Sequence, residues 1–512
     1  MSHPCAFSSP PGRRVLALAA VVLAWVGLMT WRLQATTLHV DEFLTCYRTE
    51  PSAPLWDAMH PMSYYAFMRW WAQLFGSSDA SLRLAGLPWA LLAVLSVLVV
   101  GWWLLRWPGP LVAVALVCFS SELLLYWRMA RYFAPVAGAF ALVMVGAVGF
   151  LRERRLAWLA LMALGTVLCG YFDYLPTIAT LLPWAWVIAS AVRRGRLASA
   201  LPALAALVLS LLALLPAIRW VLSGTAQVDA RPFAAFSLRN AFLKAGMAGW
   251  SLLASETLPP WQMWPAVLTM GGGAVLAGLG VVASWRRGVA WRLVMLVWPA
   301  AVALAWIALD AMPNEPPVRI PSLSLHCLPW ALLVMALGWQ EKSGRWWANV
   351  ALACFLLGQV VGLTNYFSRR NFLNPQYAMN WREVAGVLRQ HVGPRDAVVT
   401  FFDAGLRRYY DAPPASQEAF DLHRGGTAKL TELLRAGGRV WLVTRDRGSL
   451  TARAMAAEVR AQLRRLGAQE RVHGLMPYGP QERLWREALL GSEGTGYYVN
   501  VYEFWLPPGR QR

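Results

Sequence analysis

Charge is what this 512-residue sequence has little of. Only 14% of it is Asp, Glu, Lys or Arg, whereas 57% is hydrophobic and 29 residues are tryptophan. No soluble domain of this length could bury so much apolar surface, which excludes the soluble classes and leaves a polytopic membrane protein. Lysine is nearly missing: Lys244, Lys342 and Lys429 are the only ones, so almost every cation is an arginine. The six cysteines (Cys5, Cys46, Cys118, Cys169, Cys327 and Cys354) have no paired spacing, which excludes a disulfide framework or a cysteine metal centre. No nucleic-acid fold signature accompanies the formal net charge of +20, so nucleic acid is excluded as a partner.

What is there is a series of apolar runs about 20 residues long, enough to cross a hydrocarbon core of about 30 Å. They predict spans near 15–34, 84–105, 110–127, 132–151, 156–172, 175–192, 199–222, 263–285, 289–311, 321–340 and 346–367, about 11 in all. Arginines set the orientation. Arg13 and Arg14 precede the first span, and Arg106, Arg152/Arg154/Arg155, Arg193/Arg194/Arg196, Arg286/Arg287/Arg292 and Lys342/Arg345 mark every second short connection. That alternation predicts a cytoplasmic N-terminus, and an odd number of spans then puts everything after Asn365 outside. The cytoplasmic clusters would face anionic lipid headgroups, which accounts for much of the basic excess. Leu33-Gln34-Ala35-Thr36 is a poor cleavage site, so the first helix is expected to stay uncleaved.

Two zones follow. Residues 1–367 form a membrane module without an obvious repeat, and its outer loops 35–83 and 223–262 are long. The first loop holds a run from Tyr64 to Trp71 that suits a helix in the membrane interface. The second resembles another interfacial helix, bearing Arg239 and Lys244. Residues 368–512 are polar and alternate strand-like runs (397–402, 439–444 and a closing strand) with helical ones, which predicts a mostly parallel α/β domain outside the membrane. No Gly-rich phosphate loop follows its strands, so no nucleotide site is expected there.

Chemistry is concentrated at the predicted outer boundary. Asp41 and Glu42 stand a few residues beyond the first span, where acids are costly to desolvate. Adjacent helical residues diverge by about 100°, so one carboxylate can face a cavity while the other binds a cation or the loop backbone. His60 precedes Pro61 and suits a phosphate or a metal, or a structural role. Asp173 lies between Tyr171-Phe172 and Tyr174 at the outer end of the fifth span, as a site acid or a helix-end cap. Arg128 and Arg131, with Tyr132, run against the positive-inside trend. An outward guanidinium beside tyrosines suits a lipid phosphate, which it binds bidentately, or ordinary headgroup contact. Arg319 and His326 flank the tenth span and could serve the same end. Glu122 and Asp310 have weaker claims.

In this order the residues resemble a family. Asp41-Glu42 follows the first span; His60-Pro61 leads to Tyr64-Tyr65, then to a Leu74-Phe75-Gly76 turn and to Leu82-Arg83-Leu84 before the second span. Met129-Ala130-Arg131-Tyr132-Phe133 opens the fourth. The pattern is similar to that of the GT-C class of membrane glycosyltransferases, in particular bacterial relatives of dolichyl-phosphate-mannose protein mannosyltransferases and of the lipid A aminoarabinose transferase. It covers about the first 190 residues, and Asn380-Trp381-Arg382-Glu383 with Pro394-Arg395-Asp396 resembles the family's tail. The family often has an acid where Met129 stands, and its Arg-Tyr step near the second-last span is replaced by Leu323-Ser324.

The resemblance implies sugar transfer from a polyprenyl-phosphate carrier to an envelope acceptor (glycolipid, polysaccharide or protein) on the outer face of a bacterial inner membrane. Asp41 would be the general base, and one displacement at the anomeric carbon would invert it. The leaving phosphate would be held by Arg131 with Arg319 or His326, or by a divalent cation (Mg2+ or Mn2+) at Asp41, Glu42 and Asp173. The rival class is a transporter or lipid flippase, but the charges gather at the boundary rather than at helix interruptions near the midplane. A non-catalytic scaffold is the third reading.

Overall fold

The computed structural model describes residues 10–35, 37–53, 62–193, 195, 197–219, 238–310, 320–374, 377, 379–400, 403–411, 426–445, 450–486 and 496–510. The chain divides into two units, Met1–Leu33 with Thr45–Ser368 and Gln34–Leu44 with Arg369–Arg512. The sequence reading put the first outer loop wholly with the membrane module. In the structure the boundary falls inside one helix, so the segment carrying Asp41 belongs to the C-terminal unit.

The helices run α1 (Pro11–Thr30), α2 (Val40–Thr49), α3 (Met62–Phe75), α4 (Asp79–Leu84), α5 (Leu87–Leu104), α6 (Gly109–Cys118), α7 (Ser121–Trp127) and α8 (Phe133–Glu153). Then come α9 (Leu156–Phe172), α10 (Tyr174–Val192), α11 (Leu197–Ala213), α12 (Leu238–Leu253), α13 (Met263–Arg287), α14 (Val289–Asp310), α15 (Ile320–Ser324), α16 (Leu328–Lys342) and α17 (Trp346–Ser368). Among the described residues eight helices are long and apolar enough to cross a membrane, or nine if the bent pair α6–α7 is one span. The eleven expected from the apolar runs are reduced at α9 and α11, which are apolar but short. At 1.5 Å per residue the 17 residues of α9 reach only about 25 Å. α6 and α7 meet at 53°. Ser120 makes the break by turning its hydroxyl to accept the Leu123 N–H at 3.3 Å, a side-chain cap that starts α7 afresh.

Small residues set the tightest helix contacts, as expected where lipid offers no hydrophobic drive to associate. A Cβ at Gly338 would come within 2.1 Å of the Leu276 carbonyl and 2.6 Å of the Gly280 N–H nitrogen, so α13 and α16 touch backbone to backbone. Gly338→Val is therefore expected to abolish accumulation of folded protein, because the helices must separate to admit the side chain. Gly344→Ala, with nothing within 4 Å, should be neutral. Monodisperse Gly338→Val at wild-type yield on size-exclusion chromatography would refute this packing.

The C-terminal unit contains α18 (Trp381–His391), α19 (Asp403–Tyr409), α20 (Gly426–Arg435), α21 (Leu450–Arg465) and α22 (Pro480–Trp485). Its strands are β1 (Ala397–Thr400), β2 (Val440–Arg445), β3 (Gln469–Pro477) and β4 (Tyr497–Trp505), in the order β1-β2-β4-β3. Only β1 and β2 are parallel; β4 pairs antiparallel with both β2 and β3, so the sheet is mixed rather than mostly parallel. The strand that changes the class is β4, which enters antiparallel to β2, and the strand absent from the sequence reading is β3, which carries no clean alternation. It is an edge strand, largely half-exposed, and it contains Gly474 and Pro477. Its register places Gly474 where any Cβ would meet the Tyr497 ring at 2.4 Å, so the glycine serves packing. The core lies between the sheet and two helices, through Val399, Leu434, Leu442, Leu463 and Phe504.

Candidate functional site

In the membrane unit the ends of three helices converge on one acid and one base. α9 stops at Phe172 and α10 starts at Tyr174, with Asp173 between them in extended conformation. Its carboxylate accepts the Leu175 N–H at 3.3 Å, so it is the N-cap of α10. That is one of the two roles the sequence allowed, and it does not use up the carboxylate. Burial among the aromatic helix ends pushes the Asp173 carboxyl up to about 6; the Leu175 N–H, the Arg131 guanidinium and the Tyr174 N–H pull the other way. The influence of Arg131 places the two side chains in one electrostatic environment, where α8 begins. Arg131 is buried and lies 5.0 Å from the centroid of the half-buried Tyr132 ring.

α3 borders this end. The Ser63 hydroxyl donates to the Tyr171 carbonyl. Tyr64 meets Tyr132 edge-on at 6.1 Å and Tyr65 at 5.4 Å, and the Arg48 guanidinium is 5.9 Å from the Tyr65 ring. Tyr64 and Tyr65 are 1% exposed, so they form the wall of the site and not a headgroup belt. The other face of α3 leaves Trp70, Leu74 and Phe75 exposed, which fits an interfacial helix.

Arg128 is placed differently from Arg131. Its guanidinium donates to the Trp31 carbonyl at 2.5 Å and lies 5.1 Å and 4.9 Å from the Tyr366 and Phe367 rings. Arg83 donates to the Leu33 carbonyl at 2.8 Å. Two buried cations therefore satisfy the carbonyls that follow α1, where a helix leaves its C-terminal acceptors unpaired. Arg32, between them, has φ 53, a left-handed conformation that a non-glycine residue keeps only when its surroundings fix it. Arg128 thus clamps the exit of the first helix. His326 is also buried inside the bundle, in a 3-10 turn with its ring 4.9 Å from Phe140, one to two turns into α8.

A second acidic feature joins Glu122, which has only a weak claim in the sequence, to Glu256, which has none. Both are 1% exposed; the Glu256 N–H donates to Glu122 Oε2 at 2.7 Å, and the Tyr126 hydroxyl donates to Glu256. Gln359 and Asn365 of α17 bind the same region, through Ser121 and the Thr257 carbonyl. The pair ties the 254–262 connection to the broken span. The only hint in sequence was an acid, Glu256, just before an apolar stretch in a chain with 27 acids. Asp310, by contrast, forms an ion pair with Lys244 of α12.

Asp41 lies in the first turn of α2, and its side chain is outside the described residues, as are His60 and Arg319 entirely. Glu42 is described and turns inward: at 1% exposure its Oε2 accepts the His39 N–H at 2.6 Å. That is one half of a capping box, an N3 glutamate closing on the N-cap backbone. Of the two adjacent acids, Glu42 binds the loop backbone. Among the described residues no group of three His, Cys, Asp or Glu side chains could hold a metal.

No family model and no curated protein matches the sequence. Solved structures do match in fold. ArnT from Cupriavidus metallidurans in the apo state is 13% identical with a TM-score of 0.55, over 87% of this chain and 94% of that one. The same protein bound to undecaprenyl phosphate is 13% identical with a TM-score of 0.52, over 88% of this chain and 95% of that one. The likeness is one of fold, and it covers most of the chain.

Proposed function

We propose that this chain is a membrane glycosyltransferase that moves a sugar from a polyprenyl-phosphate carrier to an envelope acceptor on the outer face of a bacterial inner membrane. The observation that supports the reading is the buried Arg131 at the start of α8 acting on the Asp173 carboxyl between α9 and α10, in a chain whose fold matches ArnT. A buried guanidinium next to a carboxylate at a membrane boundary suits a lipid phosphate, whose charge would otherwise be costly there.

In this mechanism the acceptor hydroxyl or amine loses its proton to the Asp41 carboxylate as its oxygen or nitrogen attacks the anomeric carbon. The bond from that carbon to the phosphate oxygen breaks in the same displacement, the configuration inverts, and the electron pair leaves with the polyprenyl phosphate. Arg131 meets that growing negative charge with paired N–H donors, and Asp173 orients Arg131 from beside it. Tyr132 covers the guanidinium. Glu42 holds the turn that presents Asp41, so Glu42→Gln should be milder than loss of Asp41 itself. No step passes through a cation.

A pH dependence follows from Asp173. Its carboxyl sits at about 6, so it is ionised above that pH and increasingly neutral below it. Because only the ionised form orients Arg131, transfer should fall as pH drops through about 6, and Asp173→Asn should remove that limb. A wild-type rate that is flat between pH 5 and 8 would deny Asp173 a place in the site.

A further inference from the structure

The segment 34–44 is held in the C-terminal unit by specific contacts on both sides of Asp41. Thr37 is buried, and its hydroxyl donates to the Met379 carbonyl at 3.1 Å while accepting the Trp381 N–H at 3.2 Å. Trp381 is the first residue of α18, whose own N-cap residue, Asn380, forms no side-chain cap bond. Thr37 therefore supplies, from a distant part of the chain, an acceptor that a helix N-terminus needs. One residue on, the Leu38 N–H donates to the phenolic oxygen of Tyr409 at 2.9 Å. Arg382 donates to the Gln34 carbonyl and lies 5.1 Å from the Tyr409 ring. Beyond Asp41, Phe43 meets Trp381 and Tyr409 edge-on at 6.4 Å and 6.2 Å.

The contacts at 37 and 38 act on backbone and lie within one helical turn of Asp41. A domain that merely covered the membrane module would not need to grip this short stretch from α18 and α19 together. We propose that Thr37 and Tyr409 are positioning residues, and that the C-terminal unit serves the reaction by fixing the backbone that carries Asp41. The proposal rests on Asp41 being the base. Its physical content is that a shift of about 1 Å in a catalytic group can lower a rate by as much as 10²-fold.

The substitutions separate the hydrogen bonds from the packing. Thr37→Val keeps the shape and removes the hydroxyl, Thr37→Ser keeps the hydroxyl, and Tyr409→Phe removes one oxygen. Each full-length variant is expressed at equal membrane level in cells lacking the chromosomal copy. Mass spectrometry follows the rate of appearance of the sugar-bearing envelope product that depends on the wild-type chain. The purified variants are titrated with undecaprenyl phosphate by thermal shift.

Thr37→Val and Tyr409→Phe should slow product formation about 10-fold or more, Thr37→Ser should restore it, and carrier binding should be unchanged in all three. Joint loss of carrier binding and melting temperature would reduce the contacts to general stability and overturn the proposal. So would wild-type rates in both Thr37→Val and Tyr409→Phe while Asp41→Asn is inactive, a result that leaves the base intact. A fully active Asp41→Asn would instead overturn the base, and the positioning role with it.

Discussion

Asp41→Asn is expected to lower sugar transfer about 10²–10⁴-fold, the range a positioned general base contributes. Asparagine is nearly isosteric, so expression, membrane insertion and melting temperature should stay at wild-type levels. Only the capacity to take the acceptor's proton is lost. Glu42→Gln provides the internal contrast. Glu42 is buried with Oε2 on the His39 N–H, and a glutamine oxygen can accept the same bond. A loss at Glu42 as large as at Asp41 would mean that both carboxylates meet substrate, contrary to the inward turn of Glu42.

Arg131→Ala carries the second large effect. A hydrogen bond to a charged group contributes about 1.5–3 kcal/mol, so its removal should raise the carrier concentration needed for half-maximal rate by about 10- to 150-fold. Arg131→Lys should recover only part of this, since an ammonium lacks the planar fork that meets two phosphate oxygens. Arg128→Lys is the control. Its guanidinium is committed to the Trp31 carbonyl beneath Tyr366 and Phe367, so the substitution should lower stability more than carrier use. The reverse ranking, with Arg128 dominating carrier use, would move the phosphate to the α1 exit.

How much of this was legible in sequence depends on the range of the interaction that decides each feature. Apolar runs and arginine spacing are local, and they located the helices well. Among the described residues α9 and α11 fall short of the other spans, because hydropathy registers composition better than the end of a helix. The mixed sheet turns on the direction of β4, which strand periodicity does not report, and β3 is hidden by half-exposure and by a glycine placed to admit the Tyr497 ring. Asp173 could be found because an acid between aromatic residues stands out in an apolar chain. The influence of Arg131 on it, from forty-two positions away, could not. Arg128 and Arg131 look equivalent in Arg-Met-Ala-Arg; only tertiary packing sets one against the Trp31 carbonyl and the other beside Tyr132. The attachment of Thr37 and Leu38 to Met379, Trp381 and Tyr409 spans more than 340 residues, and no periodicity reports contacts of that kind.

If this chain consumes a polyprenyl-phosphate-linked sugar, as proposed, the pool of sugar-bearing carrier lipid records it. Lipid extracts from wild-type cells, deletion cells and deletion cells complemented with Asp41→Asn are compared by mass spectrometry for polyprenyl-phosphate sugars. Envelope glycolipids and glycoproteins from the same cells are profiled for a missing sugar residue. A single polyprenyl-phosphate sugar should accumulate in the deletion and Asp41→Asn cells, and the same sugar should be absent from one envelope product. An unchanged carrier pool with every envelope product fully glycosylated would contradict the account.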